Sequence, residues 1–218
     1  MNLHRTLLLG VLIVGTVHAD EQLDDKGAQL VSAFITEIET LQGRFEQSLL
    51  DADGEVLERT SGTLQIERPG KFRWSYTQPY EQELVADGLN IWSYDVDLAQ
   101  VTVKPQKDAL ANTPALLLGG SEDAMQQFNN EGSHVEAGTT WVRLSPVNTD
   151  SGFLRVELGF REERLYRMVF FDSLEQTTLV ALYDVAVNVP FAQDEFLFQV
   201  PEDVDVVGTP ATPIGSSP

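Results

Sequence analysis

The sequence predicts an α+β domain in which one amphipathic helix precedes about ten antiparallel strands bent into a partial barrel, with short helices inserted midway. Three observations predict it. An apolar stripe at helical spacing occupies the N-terminal part. Period-two alternation punctuated by turn residues fills most of the remainder, and no strand-helix-strand repeat of the kind that builds parallel sheets interrupts it. With 218 residues, 42% of them hydrophobic, the chain can bury one sizeable core, and a single domain is expected.

Residues 1–19 read as a cleaved Sec signal. His4 and Arg5 give a short basic start, Leu7 to Val17 form an apolar run, and Val17-His18-Ala19 is a small-x-small cleavage site. The run is too short as a helix for the roughly 30 Å hydrocarbon core of a bilayer. The expected mature chain is therefore exported, soluble and without stable membrane insertion. It carries no cysteine after Ala19 for lipid anchoring.

From residue 20 to 207 we expect one domain. Leu30, Phe34, Ile38, Leu41 and Phe45 recur at helical spacing, with Val31, Ala33 and Ile35 widening the stripe and Lys26, Gln29, Ser32, Glu37 and Glu39 on the other face. Near Gly43 the period falls to two: Phe45, Gln47 and Leu49 run toward Asp53-Gly54, and Thr63 to Glu67 alternates beyond it, which marks a hairpin. The clearest alternation follows, with Phe72, Trp74 and Tyr76 on one face and Lys71, Arg73, Ser75 and Thr77 on the other. Asp87-Gly88 separates a strand around Leu84 from one holding Ile91, Trp92 and Tyr94, and Gln100 to Lys104 stops at Pro105.

Between Lys107 and Asn130 the pattern changes. Asn112-Thr113-Pro114 caps a short, very apolar helix that holds Leu116, Leu117 and Leu118 and ends at Gly119-Gly120; Ser121-Glu122-Asp123 opens a second with Ala124, Met125 and Phe128. His134, in the turn-like Glu131-Gly132-Ser133-His134, reads as a surface loop residue. Strands then return at Trp141–Leu144, Phe153–Phe160, Leu165–Phe171, Thr178–Val187 and Glu195–Val200, with hairpin tips at 161–164 and 173–176. Residues 208–218, rich in Pro, Gly, Ser and Thr, are expected to be a disordered tail.

Composition narrows function. With 34 acidic against 14 basic residues the formal charge is -20, which repels phosphate backbones, so no nucleic-acid partner is expected. The absence of cysteine removes thiolate metal sites and cysteine nucleophiles, and after signal cleavage His134 is the one histidine left. No cofactor and no enzymatic activity are expected. The acidic pairs that acid/base hydrolysis would need, Asp95 with Asp97, Glu162 with Glu163 and Asp51 with Asp53, all lie in or beside turn signals. A short helix such as the one at 114–118 holds little structure alone and depends on docking, so it suits a lid as well as a core element.

Ile66-Glu67-Arg68-Pro69-Gly70-Lys71-Phe72-Arg73-Trp74-Ser75-Tyr76, then Thr77-Gln78-Pro79, then Val85-Ala86-Asp87-Gly88 with Ile91-Trp92-Ser93-Tyr94, closely resemble the outer-membrane lipoprotein carrier (LolA) family. Gln100-Val101, Asn112-Thr113-Pro114 and Glu195-Phe196-Leu197-Phe198 with Pro201 continue the resemblance in order, from Gln29 to Val206. The resemblance implies an unclosed β-barrel of about 10–11 strands with an N-terminal helix and short lid helices over an apolar cavity. It implies a periplasmic chaperone of Gram-negative bacteria that takes acylated lipoproteins from the inner-membrane LolCDE complex to the outer-membrane receptor LolB. By the same carry-over Arg68 is the latch that bonds lid carbonyls, Phe72 serves handover to partners, and Trp74, Tyr76, Trp92, Leu116, Leu117 and Leu118 line the acyl cavity. The alternative is a lipoprotein-sensing regulator on the same fold, similar to RseB, which carries a further C-terminal domain.

Overall fold

In the computed structural model, which describes residues 17–109, 119, 126–148 and 152–212, helix α1 (Val17–Thr36) leads into six strands. These are β1 (Thr40–Leu50), β2 (Val56–Glu67), β3 (Lys71–Gln78), β4 (Gln82–Asp87), β5 (Asn90–Asp95) and β6 (Gln100–Pro105). A short helix α2 (Gln106–Ala109) follows. Then come β7 (Phe128–Glu136), β8 (Thr139–Pro146), β9 (Phe153–Arg161), β10 (Arg164–Asp172), β11 (Thr177–Val187) and β12 (Asp205–Gly208).

All twelve join one sheet in the order β12-β6-β5-β4-β3-β2-β1-β11-β10-β9-β8-β7, whose two edges, β12 and β7, do not pair with each other among the described residues. The expected unclosed, antiparallel-dominated architecture is therefore what the chain adopts. Its curvature follows from what α1 touches. Leu30, Val31, Phe34 and Ile35 share one buried cluster with Phe72, Trp74 and Ala86 from one half of the sheet and with Val142, Leu144, Val156 and Phe160 from the other. Both halves must wrap the same helix for that to hold. Gly27 permits the closest approach: a Cβ there would stand 1.8 Å from Ser133 Oγ on β7.

Several expectations are corrected in detail. The helix ends at Thr36, so Leu41 and Phe45 belong to β1; residues four apart share a face in a strand as well as in a helix, and the stripe runs through the boundary unchanged. The turn after α1 is clamped by Asn188, whose Oδ1 accepts from Glu39 N at 2.9 Å while its Nδ2 donates to Glu37 O at 3.0 Å. Phe128 opens a strand that the sequence does not advertise. β7 is a polar edge with a register shift between Asn130 and Ser133, and His134 sits within it opposite Trp141. The expected count of about 10–11 strands becomes twelve, because β7 and β12 join the sheet while Glu195–Val200 forms no strand. β12 runs parallel to β6, Asp205 beside Gln100 and Gly208 beside Val103. Gly208 is required there: its φ is +103°, and a Cβ would stand 2.1 Å from Val103 O. The disorder expected from Gly208 does not begin at that residue. Ala211 N donates to Asn90 Oδ1 at 2.7 Å, and Asn90 Nδ2 returns a bond to Ala211 O at 3.2 Å.

The segment Phe191–Val200 covers the outer face instead of extending the sheet. Arg73 is the reason: its Nε donates to Glu195 O at 2.9 Å and its Nη2 to Leu197 O at 3.2 Å, so those carbonyls are taken by a side chain and not by a strand. Phe196 is buried, and Phe198 stacks on Trp92 at 5.4 Å between centroids and meets Tyr94 edge-on at 6.3 Å. Phe198→Ala is expected to lower stability by about 1–3 kcal/mol and to open Trp92 to acrylamide quenching, as read by urea unfolding and emission. An unchanged urea midpoint would mean that the strap contributes nothing to the fold.

Candidate functional site

The inner face of β2 and β3 carries most of the residues in question. Directly opposed residues of antiparallel neighbours share a face. Leu64 pairs with Trp74 and Ile66 with Phe72, so these four side chains and Tyr76 form one inward wall, with Arg68 continuing the inner series of β2. Phe45 from β1 completes it, edge-on to Trp74 at 5.0 Å and to Tyr76 at 5.2 Å, while Trp74 and Tyr76 stack at 6.3 Å. Phe72 is 2% exposed and Trp74 8%; Tyr76 is half-buried.

Arg68 stands where β2 leaves the sheet, beneath the end of α1. Its Nη1 donates to Ile38 O at 2.5 Å and its guanidinium lies 4.6 Å above the Phe34 ring. A cation beside the carbonyls that follow a helix is favourably placed. Its Nε and Nη2, however, are buried without an acceptor. Burial disfavours the charged form and pulls the guanidinium down to about 10. A five-donor group is thus held in a dry place with the N–H groups of two of its three nitrogens unspent, aimed neither at solvent nor at a carboxylate.

Phe72 lies at the same end. The backbone N–H of Gly70 donates to Gly119 O at 2.6 Å, and a Cβ on Gly119 would come 3.3 Å from the Phe72 ring. Gly119, the last residue but one of the expected apolar helix, is therefore seated on Phe72. Leu116, Leu117 and Leu118 lie outside the described residues. Buried Gln106 ties the neighbouring turns together, its Nε2 donating to Gly70 O at 2.6 Å and its Oε1 accepting from Gly88 N at 3.1 Å. The sequence pattern gives neither Gln106 nor Phe45 a place in the site. Gln106 follows Pro105 in a polar stretch, and Phe45 is hidden at the junction of two periods.

Trp92 does not join this wall. Arg73 pairs with Val85, Val85 with Trp92 and Trp92 with Val103, a row on the opposite face from Trp74, Leu84 and Ser93. Its indole donates to Asp87 Oδ2 at 2.8 Å and its ring is covered by Phe198. It is a structural residue of the outer face, and its expected place in the cavity is corrected.

At the far end of the wall a groove of about 380 Å³ is lined by Tyr76, Thr60, Tyr80, Leu98 and the carboxylates Glu58, Glu81, Asp95 and Asp97. The carboxylate pairs are turn-builders. Asp95 Oδ1 accepts from Leu98 N at 3.0 Å, and Asp51 Oδ1 accepts from Asp53 N and Glu55 N at 3.0 and 2.9 Å. Among the described residues no helix is long and apolar enough to cross a membrane.

Comparison with known proteins adds to this geometry. The family described as "Outer membrane lipoprotein carrier protein LolA" matches residues 36–199. An outer-membrane lipoprotein carrier protein of Nitrosomonas europaea is 38% identical over 203 residues, 93% of this chain and 98% of that protein. One of Methylobacillus flagellatus is 36% identical over 203 residues, 93% and 96% of the two chains. Among solved structures, an uncharacterised conserved protein of Thermus thermophilus shares the fold with a TM-score of 0.53 at 16% identity, over 83% of this chain and 98% of that one. A LolA superfamily protein of Nitrosomonas europaea does so with 0.50 at 9% identity, over 79% and 96%.

Burial, with Glu58 adding to it, pushes the Tyr76 phenol from its ordinary 10 up to about 12. The folded chain keeps that proton where the unfolded chain loses it, so the associated stability is intact below pH 10 and is lost as pH rises through about 12. Tyr76→Phe should therefore remove a phenolate absorbance increment near pH 12 and make the variant less sensitive to base than the parent; an increment lost near 10 would contradict the burial of that ring.

Proposed function

The chain belongs to the LolA family of outer membrane lipoprotein carrier proteins, and we propose that it is a periplasmic chaperone whose inner sheet face shelters the acyl chains of lipoproteins in transit. Leaving a membrane is the physical problem it addresses. At about 0.8 kcal/mol per buried CH₂, a chain of about sixteen carbons represents roughly 12 kcal/mol of transfer free energy, which makes unaided escape very slow. An apolar interior offsets that cost. The observation that carries the proposal is the inward wall of Leu64, Ile66, Phe72, Trp74 and Tyr76, facing α1 on a sheet that does not close. Relatives named as carriers match over nearly their whole length, which favours a carrier over a sensing regulator.

Release demands that the empty protein have something to gain by closing. The unspent N–H groups on Nε and Nη2 of Arg68 supply it, by donating to the carbonyls of a lid formed by the segment around Leu116, Leu117 and Leu118; Gly119, already seated on Phe72, supports that placement. Phe72, beside the lid end, meets the handover partners. These partners are LolCDE at the inner membrane and LolB at the outer one. Cleavage after Ala19 delivers the chain to the periplasm and leaves residues 20–36 of α1 in the mature chain. The formal charge of -20 opposes lingering on anionic bilayers between loading and delivery.

Adding the protein to spheroplasts that are secreting a lipoprotein should release a soluble one-to-one complex; a lipoprotein that stays on the membrane contradicts the carrier role. Arg68→Leu should load as well as the parent and transfer poorly to the receptor, because occupied and empty forms then differ less in free energy. Unchanged transfer in a reconstituted assay would rule out the latch.

A further inference from the structure

Trp74 presents a difficulty that packing alone does not resolve. The residue is 8% exposed, and its indole Nε1 is buried without a hydrogen-bond acceptor. Leu64 and Leu84 flank it on the adjoining strands, and the rings of Phe45 and Tyr76 cover it. A phenylalanine would fill much of that space without burying an open donor, and a buried N–H that lacks an acceptor costs the fold its desolvation. The open donors of Arg68 have a lid to meet under the proposed mechanism. Trp74 does not share them: its strand partner Leu64 is four residues from Arg68, about 13 Å along an extended strand.

We propose that the Trp74 N–H is the polar anchor of the interior, donating to the carbonyl at the head of a bound acyl group. This rests on the inner face being the acyl site. Alkyl chains carry no acceptor, whereas every ester-linked or amide-linked acyl chain carries one carbonyl oxygen, so the donor is satisfied only when acyl cargo is present. Its chemical consequence is specificity: the interior distinguishes an acyl group from a hydrocarbon of the same length, which an all-apolar wall does not do.

Indole N–H resonances of the full chain test it, with Trp92→Phe and Trp141→Phe assigning Trp74 by elimination. Methyl palmitate and N-methylpalmitamide, delivered from cyclodextrin, are the ester and amide arms, and hexadecane is the arm without an acceptor. Displacement of a fluorescent fatty-acyl probe reports occupancy in all three. Both carbonyl ligands should move the Trp74 indole proton downfield and slow its exchange, while hexadecane displaces the probe without that shift. Trp74→Phe should weaken the carbonyl ligands about five- to tenfold and leave hexadecane largely unchanged. A carbonyl ligand that binds without moving the resonance, or a Trp74→Phe effect equal for all three, overturns the anchor and leaves the carrier role standing. Should no ligand displace the probe from the parent protein, the carrier role fails and the anchor with it. If Trp74→Phe does not fold, the resonance of the parent protein decides.

Discussion

An open sheet of twelve strands has two faces to keep dry, and the chain meets that requirement with unlike covers. On the inside, α1 contributes Leu30, Val31, Phe34 and Ile35 to a cluster that spans both halves of the sheet. On the outside, the strap Phe191–Val200 is held to β3 by Arg73 and to β5 through the stacked rings of Phe198 and Trp92. The outer cover locks its backbone carbonyls onto a guanidinium, which favours permanence. The inner wall next to it is made of large rings and contains donors with nothing to bind. That contrast, more than the fold class, distinguishes the two faces of the sheet.

Polar groups inside an apolar wall are costly unless paired. Arg68 beneath the end of α1 and Trp74 farther down the wall both keep open donors in dry surroundings. The acidic groups follow the opposite rule. Asp51, Asp87, Asp95 and Asp172 each spend a carboxylate oxygen on backbone N–H groups of their own turns, so the acidic excess is partly turn chemistry and not a catalytic store.

Much of the arrangement was legible in the sequence, and the failures have local causes. Alternation at 71–77 identified the aromatic wall because period two is unambiguous over that length. Trp92 is not placed by its sequence, because alternation says which residues share a face and not which face is inner; pairing across β3, β4 and β5 decides that, and it sets Trp92 opposite Val85 and not in the row of Trp74. β7 leaves no clear pattern in the sequence because an edge strand such as Phe128–Glu136 needs no apolar alternation. Glu195–Val200 looked like a strand because its aromatic residues pack on the sheet, as a strand's would, while its backbone bonds elsewhere. β12 is four residues long and its parallel partner lies about a hundred positions away, a pairing that no local pattern encodes.

Site-specific photocrosslinking with an acylated lipoprotein tests the inner-face assignment most directly. A benzophenone amino acid placed at Phe72 or Tyr76 should capture the lipid-modified end of the cargo, and the same group at Trp92 or Tyr94 should capture none. Capture from Trp92 with none from Tyr76 would put the guest on the strapped outer face and contradict the account.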